Sequence, residues 1–66
     1  MTTKITAETI TRSQIRKLGI EAFERNDLKM FDITTAALDW DVKNPHVLAA
    51  RKACADAIRA ARAAGV

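Results

Sequence analysis

The stretch Asp39-Trp40-Asp41-Val42-Lys43-Asn44-Pro45-His46, DWDVKNPH, decides how this 66-residue chain divides into elements. Asn-Pro is a helix-start signal: asparagine caps, and proline at the first helical position lacks only an N–H that would have no partner inside the helix. The residue before a proline is pushed out of the helical region, so any preceding helix must end upstream of Asn44. The stretch therefore reads as a hinge, with a linker over 41–44 and a helix over 45–64 that stops at Gly65. It also holds the only tryptophan, proline and histidine of the chain beside two carboxylates, which makes it the first place to look for a site.

Upstream of the hinge, Thr11-Arg12-Ser13-Gln14 is a capping box, with Ile10 and Ile15 at the positions of a hydrophobic staple. A first helix is predicted over 11–25. Its apolar face is Ile15, Leu18, Gly19, Ala22 and Phe23, with Arg16, Lys17, Glu21 and Glu24 turned away. Gly19 within that face implies a close helix approach. Asn26 suits a left-handed residue after the helix, and Asp27 suits the next cap, so a second helix is predicted over 27–40. Met30, Phe31, Ile33, Thr34, Ala37 and Leu38 cover about half of its circumference. A face that wide predicts the most enclosed of the three helices, with Lys29, Asp32, Thr35 and Asp39 on its outer side.

In the third helix Val47, Ala50, Cys54, Ala57, Ile58 and Ala61 share a narrow face, while Arg51, Lys52, Arg59 and Arg62 fall within an arc about 100° wide. Residues 1–10 show no sustained period and read as a flexible N-terminal arm. The expected architecture is an all-α, single-domain three-helix bundle: a helical hairpin with a longer Ala/Arg-rich third helix returning across both members.

Size and composition bound the function. A domain this small buries only about 60% of the surface of its unfolded chain, leaving little interior for a deep catalytic cleft. The apolar fraction is 48%, much of it alanine between Ala49 and Ala64, which adds helix propensity more than buried area. Help from self-association, through the smooth alanine surface of the third helix, is therefore an expectation. One cysteine, Cys54, excludes an intrachain disulfide and a multi-thiolate metal site and reads as packing in a reducing compartment. No segment approaches the ~20 apolar residues of a membrane span, and the start MTTKITAETI lacks the apolar run of a secretory signal. A cytoplasmic protein is expected.

Four features are candidates for chemistry or recognition. Asp39 and Asp41, two positions apart, diverge on a helix and have no neighbouring cluster of ligands, so no catalytic residue, metal site or cofactor is assigned. Trp40 is expected to close the end of the core, the other reading being an exposed interaction anchor. His46 reads as an ordinary surface residue. The stripe of Arg51, Lys52, Arg59 and Arg62 carries the charge asymmetry: the net charge of +3 lies wholly after Asn44. The stripe could be a solvated face. It could also meet nucleic-acid phosphates, an acidic partner protein, or the acidic second helix with Asp27, Asp32, Asp39 and Asp41.

A helix-turn-helix DNA reader fits the short turn between the first two helices, but Asp32, Thr35 and Asp39 are poor groups for base edges. Binding to nucleic acid is then expected to be weak and non-specific.

The segments TRSQIRKLGIEAFERNDLKMFDITTAALD and ARKACADAIRAARA resemble a group of small phage and prophage proteins. In that group an IRxLxxEA helix precedes a DxxM start, an AL ending with an acidic residue, and an Ala/Arg-rich last helix. The match departs at ITT and in the longer linker. The resemblance implies a phage or mobile-element genomic context and no characterised activity. By analogy with other small phage proteins, such as anti-CRISPR proteins, the expectation is a non-enzymatic protein that occupies a surface on host or anti-phage-defence machinery. The partner-binding residues expected, from the basic stripe and the lone tryptophan, are Arg51, Lys52, Arg59, Arg62 and Trp40, and the alternative is a small DNA-binding regulator.

Overall fold

Each helix begins where its side chains supply a cap. In the computed structural model, which describes residues 4–65, α1 spans Arg12–Glu24, α2 Leu28–Ala37 and α3 Pro45–Ala64. Thr11 Oγ1 accepts the Gln14 N–H at 3.2 Å, and Gln14 Oε1 accepts the Thr11 N–H at 2.8 Å, closing the capping box. The staple residues Ile10 and Ile15 are both buried. Asn26 takes φ +60°, which lets the chain reverse so that the Asp27 N–H reaches Ala22 O at 2.8 Å. Asp27 Oδ1 then caps α2 through the Met30 N–H, and Asn44 Oδ1 caps α3 through the His46 N–H.

The second helix stops at Ala37, three residues short of the predicted end. Asp39 Oδ1 accepts the Asp41 N–H at 2.9 Å and turns the backbone locally, in competition with further helix. The linker accordingly begins earlier than residue 41.

The flexible arm is corrected for residues 4–10. Thr9 Oγ1 accepts the Thr6 N–H at 2.8 Å and donates to Lys4 O at 3.1 Å, and the Ile10 N–H reaches Thr6 O at 2.9 Å. This turn swings Ile5 into the core, where it is only 6% exposed. Residues 1–3 of the expected arm lie outside the described residues.

Core packing places α2 in the middle. The three helices form the expected small all-α bundle, in which α3 rests mainly on α2 and meets α1 more lightly. The Cα envelope is correspondingly flat, 33 × 33 × 16 Å. Ile5, Ile10, Ile15, Leu18, Ala37, Ala50, Cys54 and Ala55 form the buried cluster. The expectation that α2 is the most enclosed helix fails, because within it only Thr34 and Ala37 are buried. Being central in a single layer leaves its outer side open.

The closest helix contact is at Gly19. A Cβ built there would lie 2.7 Å from Thr34 Oγ1, so glycine is what lets α1 and α2 approach. The Thr34 hydroxyl is itself fixed, donating to Phe31 O at 2.7 Å.

Candidate interaction surface

The carbonyls of Leu38 and Asp39 lie just past the C-terminal end of α2, where the helix dipole places partial negative charge, and α2 has no basic residue in its last turn. Two arginines from the other helices supply it. Arg12, the first residue of α1, donates to Leu38 O, and Arg51 of α3 donates to Asp39 O through a long contact of 3.5 Å. One corner of the fold thus ties all three helices together.

This corner also presents Trp40. The Arg12 guanidinium lies over the indole at 3.8 Å from the ring centroid, a cation–π arrangement that holds the ring in place. Trp40 is nevertheless 77% exposed. The expectation that it closes the core is therefore wrong. Arg12 reaches the end of α2 in its place, and the indole lies against the guanidinium on the surface.

The basic stripe is not one surface. Arg51 is only 9% exposed, and its Nε is buried without a hydrogen-bond partner. The side chain belongs to the corner rather than to a docking face. It faces a backbone carbonyl of the acidic region and not its carboxylates. Arg59 is half-buried and pairs with Asp56 one turn earlier. Lys52 and Arg62 are exposed, and among the described residues neither has an ion-pair partner. Of the four expected residues, two remain available as free surface charge.

The other candidates resolve locally. Asp39 spends its carboxylate on the Asp41 N–H, and His46 is exposed. Among the described residues no three His, Cys, Asp or Glu side chains are grouped so as to hold a metal ion. Cys54 is fully buried, and burial pushes its thiol up to about 11, an effect that the nearby Arg51 charge partly opposes. At neutral pH the group is a packed thiol, as the sequence implied. No helix among the described residues is long and apolar enough to cross a membrane.

One feature was not anticipated from the sequence. Ile20, Phe23, Leu28 and Phe31 all remain exposed, although Phe23 and Phe31 fall on faces that the periodicity assigns to the core. Their rings meet each other at 5.5 Å and a 51° tilt, outside the core. Comparison with protein families, with curated proteins and with solved structures yields no significant match.

Proposed function

We propose that the protein is a non-enzymatic interaction protein that docks on a partner protein through the Trp40–Arg12 corner, with Lys52 and Arg62 favouring an acidic partner surface. The observation that carries this reading is the exposed indole held under a guanidinium. Tryptophan and arginine dominate binding energy at interfaces, and a ring already fixed by a neighbour costs less side-chain entropy to bind. The resemblance to small phage proteins supports a host or anti-phage-defence protein as the partner, and the lone buried thiol of Cys54 supports a reducing, cytoplasmic setting.

The DNA-binding alternative is disfavoured by the same geometry. With Arg51 buried and Arg59 engaged, the α3 stripe offers only Lys52 and Arg62 as free phosphate contacts, and the outer side of α2 presents Leu28, Phe31, Asp32 and Thr35 beside Lys29, a poor set for reading a groove.

Affinity capture from a lysate of the source cells, with and without nuclease, tests the proposal. A discrete protein should be retained after nuclease and lost with Trp40→Ala, whose fold is unaffected because so little of the side chain is buried. Capture that vanishes with nuclease, or that survives both Trp40→Ala and the Lys52→Ala/Arg62→Ala pair, overturns it.

A further inference from the structure

Four large apolar side chains form one continuous patch at the elbow between α1 and α2. Ile20 and Phe23 are neighbours at i, i+3 on α1, Leu28 and Phe31 are neighbours at i, i+3 on α2, and the Phe23–Phe31 ring contact joins the pairs. Three of the four are more than 60% exposed: Ile20 at 61%, Phe23 at 62% and Leu28 at 63%. Ile20 lies about 12 Å along the helix axis from Arg12, at ~1.5 Å per residue, so the patch is separate from the Trp40 corner. Scattered exposed apolar residues need no explanation, whereas a contiguous group of this size on a small domain does.

The surroundings of the patch indicate what covers it. Ile20 sits in a shallow hollow along α1 whose walls include Arg16, Lys17, Glu21 and Glu24. Arg16 is one turn before Ile20 and Glu24 one turn after it, on the same row of the helix. The row is therefore basic at one end, apolar in the middle and acidic at the other. A surface with that order is complementary to itself when reversed.

The arrangement in which α1 and α3 both rest mainly on α2 leaves the elbow between α1 and α2 uncovered within the chain.

We infer that a second copy of this chain docks on the elbow as a two-fold dimer. The α1 helices cross antiparallel at Ile20, each Arg16 faces the Glu24 of the other copy, and Phe23, Leu28 and Phe31 are covered alongside. The interface is isologous, as two-fold symmetry requires. It differs from self-association through the alanine surface of α3, since the contiguous group of large exposed apolar side chains lies on α1 and α2, and Leu48 is the one such side chain on α3.

Sedimentation equilibrium over a concentration series tests the inference, because every residue involved is exposed and can be changed without touching the core. The native protein should dimerise reversibly. Ile20→Asp should raise the dissociation constant about 30-fold or more, the effect of losing a central anchor. Arg16→Glu and Glu24→Arg should each weaken the dimer, since each places like charges opposite one another, and the Arg16→Glu/Glu24→Arg double variant should recover it. Trp40→Ala should leave the dimer intact, which separates this inference from the proposed partner site. A native monomer throughout the series overturns the inference. So does a dimer indifferent to Ile20→Asp, or a double variant that is weaker than both single charge reversals.

Discussion

Gly19→Ala is the most informative single change to the fold, because two opposing effects of known size meet there. In an exposed helix interior the substitution would stabilise by about 1 kcal/mol through helix propensity. Here the added methyl carbon would lie 2.7 Å from Thr34 Oγ1 and 3.3 Å from Thr34 Cβ. Thr34 cannot turn away cheaply: it is 2% exposed, its hydroxyl is bonded to Phe31 O, and rotation about its β-branched centre would bring the methyl group into the same space. Overpacking of this kind costs about 1–3 kcal/mol, so the net change should be a loss of up to about 2 kcal/mol. For a domain this small that lowers the melting temperature by up to roughly 15 °C. Urea unfolding followed by far-UV circular dichroism, at fixed protein concentration, measures it. In a Thr34→Ala background the same glycine replacement should become neutral or stabilising, since the oxygen at 2.7 Å is gone and only the Cβ contact at 3.3 Å remains. A Gly19→Ala variant more stable than the native protein would refute the reasoning, and so would an equal loss in both backgrounds.

Asn44→Ala removes the cap on the His46 N–H and should cost about 1 kcal/mol in the same assay, whereas Asn44→Asp should retain most of the stability. Arg51→Met keeps the aliphatic stem and removes an under-satisfied buried charge, so stability should hold within about 1 kcal/mol or rise. Arg51→Ala, which also loses the stem, should cost about 2 kcal/mol by thermal denaturation. Cys54 gives a pH dependence whose sign is fixed. The folded thiol titrates at about 11 and the unfolded one near 9.0, so the folded state holds its proton more tightly. Stability should then be unaffected by this group below pH 9 and fall by about 2–3 kcal/mol between pH 9 and 11, a fall absent in Cys54→Ala. Alkylation of Cys54 at pH 8 should likewise proceed only on unfolding.

How much of this the sequence carried depends on how local the physics is. Caps are decided by a few neighbouring residues, so Thr11 with Gln14, Asp27 and Asn44 could each be placed from their spacing, and the left-handed Asn26 with them. Gly19 was legible for a related reason: a glycine on an apolar helix face has few uses other than close approach. What could not be read is which part of an apolar face finds a partner. Phe23 and Phe31 keep the helical period, yet they lie beyond the edge of the contact that Gly19 and Thr34 bring so close, and they pair with each other outside the core. Arg51 fell within a basic arc on the wheel, but the bare end of α2 lay against it in space and drew it inward. The turn over residues 4–10 had a signal in Ile5 and Ile10 flanking Thr6 and Thr9, too short for a periodicity argument to register.

Photo-crosslinking from position 40 tests the central claim most directly. A photoreactive phenylalanine in place of Trp40 reports what stands against this corner in a lysate of the source cells, and the same group at exposed Ala60 serves as control. A discrete adduct that forms from position 40 and not from position 60, and that resists nuclease and is destroyed by protease, is the predicted result. An adduct removed by nuclease, or equal labelling from both positions, would contradict the assignment of the Trp40–Arg12 corner as a protein-docking anchor.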